Sequence, residues 1–243
     1  MKPHEAKSTR ARRMVAELFA IVFGILLAFS LQASWEARSE RQSERELLGV
    51  LQTELREARQ QLGVQLDIYV YLERATKTVA DLLEANGVGT VTVADTLLAG
   101  VIFDMSYDPP TGTATTLLAS GQIDLLRNLE LRRALAAWPA AIEDGVEEQL
   151  SSWRLGDDHL EPLLQGAVGN LGPTYSVMAL WSREKRIVSH ASEESRAVTA
   201  SPELWNAVYQ QLSMIRNART DLVGVTQAHL DKLETLVARE LGQ

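Results

Sequence analysis

Apolar residues fall along this chain in two distinct ways. From Ala20 to Leu31 they are nearly continuous, reading Ala-Ile-Val-Phe-Gly-Ile-Leu-Leu-Ala-Phe-Ser-Leu, and tolerable neighbours extend the run from Met14 to Ala33. Further on they recur at alternating steps of three and four: Leu48, Leu51, Leu55, Ala58, Leu62, Gln65, Tyr69, Leu72, Thr76, Val79 and Leu83. A run of about 20 residues, rising ~1.5 Å per residue, matches the ~30 Å hydrocarbon core of a bilayer and predicts a transmembrane helix. The three-four step predicts a helix packed along one side, with polar interruptions at Gln65 and Thr76. Leu47, Leu66, Ile68 and Val70 widen that stripe, which suits a bundle face.

The second pattern implies one helix from Trp35 to Ala85, stopped at Asn86-Gly87 because glycine supplies the left-handed cap conformation. A shorter helix is expected from Val93 to Phe103, opened by Thr92 and Asp95 as a capping box. Tyr107 to Gly112 is loop by its Asp-Pro-Pro-Thr-Gly chemistry, and Thr113 caps a brief helix ending at Ser120-Gly121. Asn128 caps a long helix through Leu129, Leu131, Leu135, Trp138, Ile142, Val146, Leu150 and Trp153, with Pro139 inside it. The stretch from Gly166 to Ser201, with Gly169, Gly172, Pro173 and a polar run from His190 to Ser195, reads as a long connection. Ser201-Pro202 opens a last helix with the seam Trp205, Val208, Leu212, Ile215, Leu222, His229, Leu233 and Leu236, interrupted by Arg219 and Thr226.

The expected fold is therefore all-α. A transmembrane helix over 14–33 continues into an elongated helical bundle over 34–243, whose last long helix runs antiparallel to a neighbour.

Charge orients this arrangement. Residues 1–13 carry Lys2, Lys7, Arg10, Arg12 and Arg13 against Glu5, whereas the whole chain has a net charge of −8. A basic tail before the span and a flank of mixed sign after it place the N-terminus in the cytoplasm and the bundle outside it, as in a single-pass protein of a bacterial inner membrane. Trp35 stands where an interfacial aromatic anchor belongs. A cleaved signal peptide with a small-x-small site at Ala28-Phe29-Ser30 is the competing reading, opposed by the length of the apolar run. An acidic body argues against nucleic acid as a partner. The absence of cysteine excludes disulfides, thiolate zinc sites and cysteine nucleophiles.

Candidate chemistry is sparse. Glu17 is the ionisable residue inside the span, where a carboxylate serves a proton relay or a partner, or else pairs with Arg13 four residues earlier. Gly24 and Ala28 form a small-xxx-small pair for close helix approach. Asp157, Asp158, His159 and Glu161 are dense in potential ligands, but adjacent helical residues point apart and no metal site is expected. His229 on the last seam reads as a core histidine. Gly166, Gly169 and Gly172 lack the Lys-Ser or Lys-Thr of a phosphate loop, and Ser120-Gly121 lacks the flanks of a nucleophile elbow. No cofactor and no catalytic residue are expected.

Two blocks resemble a family of bacterial single-pass inner-membrane proteins defined by a domain of unknown function. The first is Glu17, Gly24, Ile25, Ala28, Gln32 and Trp35, with Ala16, Phe29 and Ala33 departing from the pattern. The second is Leu118, Ser120, Gly121, Ile123, Leu125, Leu126, Asn128, Leu131 and Arg132, with Ala119 in place of the family's first serine. The resemblance implies a membrane-anchored helical protein, and it draws attention to Glu17 and to the motif Ser120, Gly121, Asn128 and Arg132.

The function expected is a non-enzymatic, membrane-tethered interaction or scaffold protein. Its partners would be the lipid bilayer and a second copy or another membrane protein, joined through the membrane helix and the seam led by Leu48, Leu51, Leu55, Leu62, Tyr69 and Leu72. The alternatives are a small-ligand sensor built around Ser120 to Arg132, and an accessory subunit that uses Glu17.

Overall fold

The computed structural model describes the backbone over residues 5–242, and side chains from residue 21 onward except at position 148. The chain is 81% helix and 5% strand, so the all-α expectation holds with one addition, a two-stranded sheet. It divides into two units, Met1–Gly49 and Val50–Gln243, and the first helix, α1 (Glu5–Asn86), contributes to both. The helix ends where the sequence places its stop: Gly87 has φ 57° and donates its N–H to the Leu83 carbonyl at 3.1 Å.

After α1 come β1 (Thr90–Ala94), α2 (Asp95–Ile102), α3 (Gly112–Ser120), a 3₁₀ turn (Gln122–Leu125) and α4 (Leu129–Leu155). A π-turn (Gly156–Leu160) joins α4 to α5 (Glu161–Val168), and α6 (Gly172–Glu184) and β2 (Ser195–Thr199) follow. The last long helix is α7 (Pro202–Asp221) and α8 (Ala228–Leu241), joined by a second π-turn (Leu222–Gln227).

In the second unit, α7 and α8 run antiparallel to α1, as the ion pairs show. Arg59 meets Glu234 at 2.7 Å, while further along α1 Glu73 meets the earlier residues Arg216 (2.8 Å) and Arg219 (3.1 Å). They also run antiparallel to α4: His229 lies 2.8 Å from the Ala134 carbonyl, and Gln211 donates to Ser152 at 3.3 Å. The α1 seam is buried within the second unit, where Val79, Ala80 and Leu83 pack with α2, α5 and α7. Every residue of it from Leu51 to Leu83, the polar Gln65 and Thr76 included, is at most 3% exposed. Ile68 joins the buried stripe, but Val70 is 40% exposed and does not.

The seams of the other long helices drift from the expected positions, and within the last one a π-turn alters the helical register. A π-turn takes more residues per turn, so contacts four apart stay in line where α geometry would rotate them away. Along α7–α8 the buried positions are accordingly Ala218, Leu222, Thr226 and Leu230, and Arg219 and His229 are only half-buried. On α4 the stripe beyond Trp138 passes through Ala141, Gln149, Ser152 and Leu155, which leaves Leu150 and Trp153 exposed. The small Gly145 and Gly156 let the helices close: a Cβ on Gly145 would lie 3.1 Å from Thr226 Oγ1.

The largest departure from expectation is the segment 166–201, which is no loose connection. It carries α6, whose Trp181 is fully buried, donates Nε1–H to the Val188 carbonyl at 3.0 Å, and meets Tyr71 and Phe103 edge-on. It also carries β2, paired antiparallel with β1 from Thr90↔Thr199 to Ala94↔Ser195. The helix expected from Val93 therefore starts at Asp95, and the Thr92–Asp95 capping box does not form: Thr92 is in the strand and Asp95 is buried in an ion pair. Thr113 is likewise inside α3 and caps nothing; its N–H goes to Glu54 Oε2 at 2.9 Å. The sheet, α2, α5 and the start of α7 close one core around Val79, Leu83, Val93, Leu98, Leu164 and Val198.

Candidate functional site

In the first unit the notable surface is an apolar collar on α1. Ile21, Val22, Phe23, Ile25, Leu26, Leu27, Phe29, Leu31 and Trp35 are all exposed, from 46% at Val22 to 78% at Trp35. Gly24 has open space where a side chain would go, and Ala28 is exposed. Polar side chains within the collar turn back on the helix: Ser30 donates to the Leu26 and Leu27 carbonyls at 2.9 Å, and Ser34 to Ser30 at 2.7 Å. That leaves no bare hydroxyl facing an apolar surrounding. Among the described residues, no helix is long and apolar enough to cross a membrane. The expected span begins at Met14, outside the described side chains, and Glu17 lies there too.

The motif from Ser120 to Arg132 is brought together, but to build a turn. Ser120 donates to the Thr116 carbonyl at 2.8 Å, and Gly121 closes α3 with φ 70°. Asn128 Oδ1 caps α4 by accepting from Glu130 (2.9 Å) and Leu131 (3.1 Å), while its amide donates to Glu240 at 2.7 Å. Arg132 reaches back to the Leu126 carbonyl and to Asp124, at 2.7 Å from its carboxylate. Each polar group is thus committed to backbone or to a carboxylate, and the motif ties the end of α3 to the starts of α4 and the end of α8.

A buried polar layer crosses the second unit, and the sequence reading found it only as interruptions of seams. Gln65 donates to the Met105 carbonyl, Gln149 Oε1 accepts the Tyr107 N–H at 2.8 Å, and the Tyr107 hydroxyl donates to the Ala58 carbonyl at 3.1 Å. These bonds hold the segment 103–111 against α1 and α4. Next to them the Tyr69 hydroxyl and Gln211 Oε1 are buried without a hydrogen-bond partner. Half-buried Asp104 lies in the same segment: desolvation, against the N–H of Met105 and with the charge of Asp157 adding to it, pushes its carboxyl up to about 6. Asp157, on the π-turn, is raised as well, by desolvation and then by Glu161 and Asp158. Burial also raises the Tyr69 hydroxyl, with the Asp104 charge acting in the same sense.

A second buried charge is structural. Asp95 has no exposed surface and receives Arg196 Nε at 3.1 Å and the Thr174 hydroxyl at 3.2 Å, which joins α2, α6 and β2. The Asp95 carboxylate first, and then that of Glu194 at 2.6 Å, hold the Arg196 guanidinium above its ordinary pKa. The half-buried His229 stacks on Trp138 at 5.8 Å. A shallow groove of about 140 Å³ between α1 and α8 is lined by Gln52, Leu55, Arg56, Glu234, Val237 and Ala238. Among the described residues no group of three or more His, Asp or Glu side chains is placed to hold a metal ion.

Comparison with protein-family models, with curated proteins and with solved structures gives no match.

Proposed function

We propose that this protein is a membrane-anchored helical scaffold or interaction protein, with α1 inserted in a bacterial inner membrane and the unit Val50–Gln243 outside the cytoplasm. The observation that carries the reading is the uncovered collar from Ile21 to Trp35. A helix apolar on every side is stable only when lipid or another apolar surface covers it. The basic residues of 1–13 supply the orientation, and Trp35 the interfacial position. Lipid and a second membrane helix, from another copy or another protein, are the partners this surface suits.

The burial of the Leu51–Leu83 seam changes the expected route of association. Those side chains are covered by the chain's own helices, so a partner meets the collar and not the seam. The sensor reading loses its support, since Ser120, Asn128 and Arg132 are engaged in local bonds.

Because the chain has no cysteine, one introduced thiol tests both insertion and orientation. Glu193→Cys lies in an exposed loop. The variant should stay with membranes through alkaline extraction, and in cells with a permeabilised outer membrane it should react with an impermeant maleimide. Extraction into the soluble fraction, or labelling only after the inner membrane is lysed, would overturn the proposal.

A further inference from the structure

We infer that the outer face of α4 between Ile142 and Trp153 is a docking surface for a cationic amphipathic helix of a partner protein. α4 carries two faces of opposite character. The one turned inward is built from small and polar residues, Ala141, Gly145, Gln149 and Ser152, all buried. Gly145 stands against Thr226 of the second π-turn, and Ser152 against Gln211 of α7. The larger apolar side chains lie on another strip of the same helix: Ile142 and Val146 are half-buried, and Leu150 and Trp153 are 41% and 46% exposed. Their steps of four, four and three put them on one side over roughly three turns, about 17 Å at ~1.5 Å per residue.

Folding by itself favours the reverse arrangement, with the indole and the leucine inside and the small and polar residues out. An aligned apolar strip anchored by a half-exposed Trp is the composition of an interface centre. The three-four seam Ile142, Val146, Leu150 and Trp153 is thereby accounted for as one half of an intermolecular helix pair and not as part of the chain's own core.

Charge selects the occupant. Over residues 142–158 the acids Glu143, Asp144, Glu147, Glu148, Asp157 and Asp158 stand against a single Arg, Arg154. Glu143, Glu147 and Asp157 are exposed beside the strip. A second copy would bring the same acids against these, and like charges across an interface oppose association. An anionic lipid surface is disfavoured for the same reason. A helix with an apolar stripe and Lys or Arg along its flanks satisfies both features: its apolar side chains cover Leu150 and Trp153, and its bases meet Glu143, Glu147 and Asp157. This surface is separate from the collar on α1, and its chemistry does not depend on insertion in a membrane.

The test uses the full-length protein in a non-ionic detergent and two synthetic helical peptides of about 14 residues, one of Leu and Lys in an amphipathic pattern and one with Glu in place of Lys. Binding is read by fluorescence anisotropy of the labelled peptide. The Leu/Lys peptide should bind the wild type saturably, and more tightly than the Leu/Glu peptide. Trp153→Glu should weaken that binding about thirtyfold, as loss of an aromatic anchor does. Val88→Glu, at an apolar residue 84% exposed elsewhere on the unit, should leave it unchanged. Glu143→Lys combined with Glu147→Lys should turn the preference toward the Leu/Glu peptide, a result that misfolding cannot produce. Equal binding of the two peptides, binding no stronger than to the micelle alone, or an affinity indifferent to Trp153→Glu would overturn the proposal. So would self-association of the wild type that Trp153→Glu abolishes in analytical ultracentrifugation, which would make the occupant a second copy.

Discussion

At the scale of single residues, the buried side chains differ in what they tolerate. Gly100 is the point where α2 lies against α1: an added Cβ would stand 2.6 Å from that of Ala75 and 3.1 Å from the Tyr71 ring. Gly100→Ala should therefore cost about 1–3 kcal/mol in denaturant unfolding, as overpacking does. Leu62→Ala empties space in the α1 seam, where Leu62 is 1% exposed, and should cost about 2–5 kcal/mol. Asp104 works in the opposite direction. Its carboxyl is held at about 6, so the ionised form weakens the fold at neutral pH. Asp104→Asn should stabilise the protein by about 1–2 kcal/mol at pH 7.5 and bring no gain near pH 4, a difference read from unfolding midpoints across that range. Sequence periodicity exposed the Leu62 environment in advance. It did not expose Gly100 or Asp104, because a close approach and the desolvation of a carboxyl depend on several segments and not on one.

At the scale of elements, the caps at Asn128 and Ser201 were readable, while those expected at Thr92 and Thr113 were overridden by the strand and by α3, and register was not readable. Asn128 and Ser201 cap α4 and α7 with their own side chains, as residue type and position predict. Asn128→Ala should cost about 1 kcal/mol of stability through the cap alone. The π-turns were invisible to a three-four count, since that count assumes uniform α geometry. Deletion of Gly224, an exposed residue inside Leu222–Gln227, should relax that turn to α-helix and preserve cooperative unfolding. Deletion of Asn217 in the regular helix just before it should rotate the buried face of α8 away from its partners and abolish cooperativity, by circular dichroism or calorimetry. β1 did carry a signal in Thr90-Val-Thr-Val, alternating and β-branched, but its partner β2 lies a hundred residues on in register terms, Thr90 pairing with Thr199.

At the scale of the whole molecule, the collar and the seam have different fates. The Leu51–Leu83 seam is consumed within the chain, whereas the collar from Ile21 to Trp35 is left uncovered. Contacts made in a membrane should therefore map to the collar. In the cysteine-free background, Leu26→Cys should cross-link or react with lipid-soluble probes in native membranes. Leu55→Cys, at a position 2% exposed, should stay unreactive until the protein unfolds. Cross-linking through Leu55→Cys in the folded protein would show instead that the seam opens to a partner.

The sequence by itself determined the helical class, the long first helix with its stop at Gly87, the two side-chain caps and the division between a continuous apolar run and a periodic seam. These depend on local propensity and on spacing along one helix, which a single segment contains in full. The tertiary structure alone decided that the seam is covered by the chain's own elements, α2 and α7 among them, that Trp181 and β2 order the segment 166–201, and that Ser120 to Arg132 builds a turn. It alone also brought Gln65, Tyr107 and Gln149 into one buried layer. Those outcomes depend on which distant segments share a low-dielectric interior, and a one-dimensional pattern holds no record of that choice.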